Sequence, residues 1–278
     1  VRIANTTHGF AVAHPEGGWV LLTDLGIPAE ATAGVIAAAG AVRAGLAGAP
    51  RGRDDLALAC PVVRPSKVIA IGLNYLDHVR ETGAAVPERP VVFAKFPSTL
   101  TAPGSPIVVD PMLTEEADYE TELAVVIGRR ARRVARADAL DHVFGYAVAN
   151  DVTARDWQRK DAQFDRAKGF DTFLPIGPWI TTADEVADPQ ALPVRTHVNG
   201  ELRQDSSTAE MVFGVAELIE FLSRGMTLEP GDVIITGTPH GVGFAMDPPR
   251  FLAPGDIVRC EIVGLGAIEN PVVGPDPA

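Results

Sequence analysis

The chain has 278 residues, 46% of them hydrophobic, a formal net charge of −12 and two cysteines. That length and apolar content suffice for a substantial core, in one large domain or one with a small appendage. The acidic balance argues against a nucleic-acid or anionic-membrane partner. Cys60 and Cys260 form neither a CxxC nor a disulfide framework, which points to a reduced compartment. Val1–Asn5 has no apolar signal core and no apolar run reaches membrane length, so the expectation is a soluble, cytoplasmic protein.

In chain order, short β pieces at Phe10–Ala13 and Trp19–Leu22 precede an Ala-rich helix over Ala31–Leu46. Gly48-Ala49-Pro50-Arg51-Gly52 breaks that pattern, and Pro61–Pro65 leads into a strand at Val68–Ile71. A boundary near residue 62 is expected, with a small N-terminal domain over 1–62 and a larger domain over 63–278. Apolar strands then dominate: Val91–Ala94, Leu123–Ile127, Val143–Ala149, Trp179–Thr181, Val233–Ile235 and Ile257–Val263. Arg129, Arg130, Arg132, Arg133 and Arg136 follow the second of these runs directly. They read as a solvated hairpin turn, or else as a local anion or subunit contact.

Thr153–Lys160 looks helical. The clearest helix carries the i, i+3, i+4, i+7 stripe Val215, Leu218, Ile219 and Leu222 and stops at Gly225. Leu228-Glu229-Pro230-Gly231-Asp232-Val233-Ile234 recurs as Leu252-Ala253-Pro254-Gly255-Asp256-Ile257-Val258, a turn feeding a strand each time. Strands outnumber helices without alternating regularly with them, which predicts a β-rich α+β fold with mixed sheets over a doubly wound one.

Asp118-Tyr119-Glu120-Thr121-Glu122-Leu123 places two carboxylates two residues apart at the head of a strand. Side chains at i and i+2 share one strand face roughly 6 to 7 Å apart. Like charges held that close stay ionised together only if something positive lies between them. Asp151, at the mouth of the Val143–Ala149 strand, supplies a third carboxylate. Such an all-oxygen set suits Mg²⁺, and Mn²⁺ or Ca²⁺ less specifically. The pattern alone equally allows Glu120 and Glu122 on the wet face of an ordinary strand.

His78 and Glu81, three apart on a short helical turn, project the same way. A carboxylate beside an imidazole orients it as a base, although the same spacing also suits a surface ion pair. Lys168, before Gly169, can turn inward or face solvent. The Thr236-Gly237-Thr238-Pro239-His240-Gly241-Val242-Gly243 loop lacks the Gly-Lys-Ser/Thr ending of a phosphate-binding loop. No Gly-x-Ser-x-Gly elbow, His-Glu-x-x-His motif or strand-linked Gly-x-Gly-x-x-Gly fingerprint occurs.

The series Ile71–Glu81, Asp118–Leu123, Asn150–Gln158, Lys168–Asp171 and Thr236–Pro239 resembles the fumarylacetoacetate hydrolase family, motif by motif and in order, over roughly residues 65 to 275. The resemblance implies a β-sheet roll with a metal at its mouth and a variable N-terminal segment. It also implies Glu120, Glu122 and Asp151 as metal ligands and His78 and Glu81 as a water-activating dyad on a segment that closes over substrate. Lys168, Gln158 and Thr238 become substrate contacts, Arg155 either a substrate contact or a bridge to Asp156 or Asp151, and Tyr75 and Asn74 shape the entrance. A homodimer is implied too. His240 departs from the small residue usual in relatives and so bears on the distal pocket; Leu73 replaces an arginine that some relatives carry.

A hard cation that chelates a 2-oxo acid stabilises a pyruvate enolate. Three reactions share that species: hydrolytic cleavage of an acylpyruvate or fumarylpyruvate, decarboxylation of oxaloacetate, and isomerisation of 2-hydroxyhepta-2,4-diene-1,7-dioate. The dyad favours hydrolysis of the carbon–carbon bond. A cation-stabilised binding protein without activity is the remaining alternative.

Overall fold

The computed structural model describes residues 1–275. Two large sheets packed face to face dominate the described residues, and a third sheet has two strands, Ala117–Asp118 and Thr153–Ala154. The larger has eleven strands, nine of them along the path Trp19–Leu21, Gly9–Ala13, Arg2–Thr6, Leu174–Thr182, Val143–Asn150, Thr121–Ile127, Val233–Ile235, Val68–Gly72 and Val91–Lys95, with Leu58–Ala59 paired to Arg2–Thr6 and Leu100–Thr101 to Leu174–Thr182 off that path. Only Val233–Ile235 against Val68–Gly72 is parallel on that path, so the sheet is mixed. The smaller sheet has five strands, in the order Glu201–Ser207, Pro193–Val198, Ile257–Ile262, Gly266–Val273 and Ile107–Val108. No helix among the described residues is long and apolar enough to cross a membrane.

Strand parity organises the core. Leu123, Val125 and Ile127 face the smaller sheet and pack with Val194, Val258 and Ile262. Ala124 and Val126 face the other way, into a second cluster with Val68, Ala70, Phe93, Ala147, Ala149 and Ile235. Thr121–Ile127 is buried along its whole length, since both of its faces are covered.

The segment before residue 62 extends the large sheet, with Arg2 and Ile3 paired to Thr181 and Ile180. It also has apolar packing of its own around Ile3, Phe10, Val12, Val35 and Val42. The single helix expected over Ala31–Leu46 is two, Thr32–Ala37 and Ala39–Leu46, parting at Ala38; Gly34 and Gly40 weaken the helix on either side of the break. The stretch expected as helix from Thr153 begins only at Arg155, because Thr153 and Ala154 pair with Asp118 and Ala117. The arginine-rich turn clamps the end of helix Val215–Gly225: the Arg132 guanidinium donates to the Ser223 and Arg224 carbonyls at 3.1 and 2.6 Å. In the repeated turn, the aspartate carboxylate accepts from the amide three residues earlier in both copies, Asp232 from Glu229 at 2.7 Å and Asp256 from Ala253 at 2.8 Å.

Candidate metal centre and active-site cavity

Parity also builds the site. Glu122 continues the Ala124 and Val126 face of its strand, and Glu120 lies one step beyond the strand end. Asp151 continues the Ala147 and Ala149 face of the neighbouring antiparallel strand, whose register sets Thr121 opposite Asn150. The Asp151 N–H donates to the Glu120 carbonyl at 2.8 Å, so the two side chains leave adjacent strands at the same level. Carboxylate oxygens of Glu120, Glu122 and Asp151 all come within 4.8 Å of one another, and all three residues are buried.

Three cations surround them. The Lys168 ammonium donates to Glu120 Oε2 at 2.8 Å and to Asp151 Oδ2 at 2.6 Å. The Lys95 ammonium lies 2.8 Å from Asp151 Oδ1 and donates to the Phe173 carbonyl at 2.8 Å. The Arg155 guanidinium lies 2.6 Å from Glu120 Oε1 and donates to Asp118 Oδ2 at 2.9 Å. With Asp118 included, four buried carboxyl groups face three cations, so the four are not all matched one to one.

The charges divide the pair of glutamates. Burial pushes the Glu120 carboxyl up, but Lys168 and Arg155 outweigh it and hold it down to about 2. Glu122 has no such cation against it. Burial, then the Asp151 and Glu120 carboxylates, push it well above the usual glutamate range. Burial likewise drives the Lys95 ammonium down, whereas the Asp151 and Glu120 carboxylates overcome burial at Lys168 and hold its ammonium up.

The donor set fits a hard divalent cation. Only one Glu122 oxygen takes a hydrogen bond among the described residues, from the Gly237 N–H at 2.7 Å. Asp151 Oδ1 is buried and, although close to Lys95, receives no aligned donor. Buried carboxylate oxygens that converge and lack donors are what an oxygen-seeking ion requires.

Above the carboxylates opens a cavity of about 270 Å³. His78, Glu120, Glu122, Arg155, Lys168 and Gln158 line it, together with Thr238. His78 Nδ1 lies 2.8 Å from Glu81 Oε2, and Glu81 Oε1 accepts the Gly241 N–H at 2.8 Å. The Thr238 hydroxyl donates to the Thr121 carbonyl at 3.0 Å and accepts from Gln204. Arg155 Nη1 donates to Gln158 Oε1 at 3.0 Å. An arginine only donates, so the Gln158 amide must turn its oxygen to Arg155 and its NH₂ away.

Several expected placements differ. The carboxylate partners of Arg155 are Asp118 and Glu120, not Asp156 or Asp151, because its helix begins where Thr153 and Ala154 pair with the strand that carries Asp118. Tyr75 and Asn74 lie fully buried and do not form the entrance. Asn74 instead clips two chain segments together, with its amide donating to the Thr236 and Phe213 carbonyls. His240 stays out of the cavity wall, its Nε2 3.3 Å from the Asp205 carbonyl oxygen. Lys168 turns inward and gives two of its three N–H donors to Glu120 and Asp151; Gly169 beside it packs so tightly that a Cβ would lie 2.3 Å from the Asp165 carbonyl oxygen.

Three residues given no role from sequence belong to the site. Lys95 shares strand parity with buried Phe93, and a lysine at an inward position was the available signal. Asp118 accepts the Gly243 and Phe244 amides and holds Arg155. The Phe244 ring sits 4.4 Å under the Arg155 guanidinium and edge-on to His78. The run from Gly237 to Phe244 thereby donates backbone N–H groups to Glu122, Glu81 and Asp118 in turn.

Residues 67–273 match the family model described as fumarylacetoacetate (FAA) hydrolase C-terminal. An oxaloacetate tautomerase of Xenopus laevis, a mitochondrial protein, is 49% identical over 223 residues, covering 80% of this chain and 70% of that one. A fumarylacetoacetate hydrolase from Exiguobacterium antarcticum superposes with a TM-score of 0.87 at 41% identity, covering 99% of each chain. Maleylpyruvate hydrolase from Sphingobium, solved with manganese(II) and pyruvate, superposes with a TM-score of 0.82 at 33% identity, over 99% of this chain and 100% of that one. The sequence motifs, the fold and the carboxylate nest thus meet in one conclusion: the chain belongs to the fumarylacetoacetate hydrolase family and is one of its enzymes.

Proposed function

We propose that the protein is a divalent-cation-dependent enzyme that moves a proton at carbon 3 of a short 2-oxo acid, interconverting the keto and enol forms of oxaloacetate. The observation that carries this reading is the His78–Glu81 pair on the same cavity as the carboxylate nest. The kinship to an oxaloacetate tautomerase supplies the substrate class.

Glu120, Glu122 and Asp151 hold the cation, magnesium in this reading, with manganese or calcium as substitutes. Bound there, a hard ion supplies polarisation of the 2-oxo group. Glu81 only accepts, so it fixes the ring proton of His78 on Nδ1 and leaves Nε2 as the basic atom on a ring that lines the cavity. His78 Nε2 takes the proton from carbon 3 of the keto form while the 2-oxygen gains one to give the enol; in reverse the hydroxyl proton leaves and His78 protonates carbon 3. Lys168, Arg155, Gln158 and Thr238 receive the substrate's oxygens, and Tyr75 stiffens the site from behind instead of touching substrate. Residues 63–278 form the catalytic unit, with 1–62 appended. Homodimeric assembly and a cytoplasmic home complete the proposal.

Hydrolysis of an acylpyruvate is the second reading, supported by the likeness to maleylpyruvate hydrolase. In it the same dyad deprotonates water. The test follows the ultraviolet decay of enol-oxaloacetate and the release of pyruvate from an acylpyruvate, each with magnesium and with chelator. Cation-dependent enol decay without pyruvate release supports tautomerisation, and the reverse outcome selects hydrolysis. Rates indifferent to chelation in both assays sink both readings.

A further inference from the structure

Resting on the oxo-acid reading, we infer that Arg159 is the specificity-determining residue that selects substrates bearing a second carboxylate. Three cationic side chains line the cavity: Arg155, Lys168 and Arg159. Two of them are committed to buried carboxylates, Arg155 to Asp118 and Glu120 and Lys168 to Glu120 and Asp151. Arg159 is not. Its Nη2 alone is engaged, donating to both oxygens of Glu116 at 2.6 Å, and its Nε and Nη1 carry no hydrogen bond among the described residues.

The pair with Glu116 is exchangeable. The Arg159 side chain is 59% exposed, and an ion pair in that setting contributes about 0–1 kcal/mol. A substrate carboxylate can therefore replace Glu116, or share the guanidinium with it, at little cost. Among the described residues, the cavity lining has no fourth lysine or arginine. Leu73, Phe93 and Phe164 give it an apolar wall, with Phe93 and Phe164 edge to face at 5.6 Å. A 2-oxo acid whose head lies at the carboxylate nest thus meets one uncommitted cation with its far end. Arg159 reaches the cavity from the helix Arg155–Lys160.

The experiment compares oxaloacetate with 2-oxobutanoate, which lacks the second carboxylate, on the magnesium-supplemented full chain. One readout is proton–deuterium exchange at carbon 3 by NMR; the other is the rise in melting temperature that each acid produces, which needs no turnover. In Arg159→Gln the preference for oxaloacetate, as the ratio of kcat/KM values, should fall about tenfold to a hundredfold, through KM and not kcat. Arg159→Lys should restore part of it, and Glu116→Gln, which frees the guanidinium, should strengthen it. The melting-temperature preference should follow the same order.

A ratio that does not move in Arg159→Gln, or a wild-type protein that is stabilised equally by the two acids, overturns the assignment. If the wild type exchanges neither acid yet shows a melting preference that Arg159→Gln abolishes, the proton-transfer reading fails and Arg159 stands. If exchange is rapid and the ratio is indifferent to residue 159, the reverse holds.

Discussion

Asp151 hangs from Glu120 by its backbone: the Asp151 amide donates to the Glu120 carbonyl at 2.8 Å while Lys168 ties their carboxylates together at 2.6 and 2.8 Å. Sheet register, rather than side-chain reach, therefore sets the separation of two of the three proposed ligands.

The amide that steadies the third ligand is open to test. Gly237 has φ of +96°, and a Cβ there would lie 2.8 Å from the Asn74 Cβ. Gly237→Ala is expected to destabilise the fold by about 1–3 kcal/mol and, by pulling its N–H off Glu122, to weaken magnesium or manganese binding about tenfold to a hundredfold. Urea unfolding and calorimetric metal titration measure the two effects separately. Wild-type metal affinity in the folded variant would show that this hydrogen bond does not orient Glu122.

His78→Ala should lower turnover about 10²- to 10⁴-fold, the range for loss of a general base, and leave metal binding intact. Metal-dependent thermal shifts beside steady-state rates check this. Loss of metal binding together with activity contradicts the division of labour between dyad and nest.

Protonation gives the metal-free protein a distinctive pH response. Glu122 is raised well above the ordinary 4.5 by burial and by the Asp151 and Glu120 carboxylates, so between those values the folded chain keeps a proton that the unfolded chain has released. Stability in chelator should therefore fall as pH climbs above 4.5 toward the raised value. Glu120 acts in a lower window. Burial opposes its ionisation, but Lys168 and Arg155 hold it down to about 2, so its contribution is present above 4.5 and is lost as pH drops toward 2. Magnesium bound as proposed would displace the Glu122 proton, so the rise in melting temperature that it causes should grow with pH. A magnesium effect that shrinks with rising pH would contradict this account of the nest.

Asp118→Asn leaves the Arg155 charge buried with one counter-charge fewer and loosens the Gly243 and Phe244 amides. Breaking a buried pair in this way costs about 3–5 kcal/mol, and equilibrium unfolding is the direct measure. A cost below about 1 kcal/mol, as for an exposed pair, would mean that water reaches Arg155.

Much of this was legible in the linear chain because strand parity is local information. Glu120, Glu122 and the Val143–Ala149 run leading to Asp151 could be placed from spacing and composition alone. Lys95 was not, since its strand pairs with Val68–Gly72 at the end of the sheet path and its side chain meets Asp151 only in the tertiary fold. The partners of Arg155 were misassigned for a related reason: the nearest aspartates in sequence, Asp151 and Asp156, are not the ones its side chain meets once Thr153 and Ala154 pair with Ala117 and Asp118. The hairpin Pro193–Val198 and Glu201–Ser207 escaped notice because its polar residues mask the alternation. Splitting of the Ala-rich helix reflects weak local preference settled by tertiary packing.

The peptide from Gly237 to Phe244 reaches Glu122, Glu81 and Asp118 through its main-chain N–H groups, and its Phe244 ring packs on Arg155 and His78. The dyad and the carboxylate nest are thus indexed to one short ribbon by its backbone amides. Substitutions along it that spare the glycines can retune the cavity, whereas a single-residue deletion shifts every later amide by one place and uncouples the two halves of the chemistry at once.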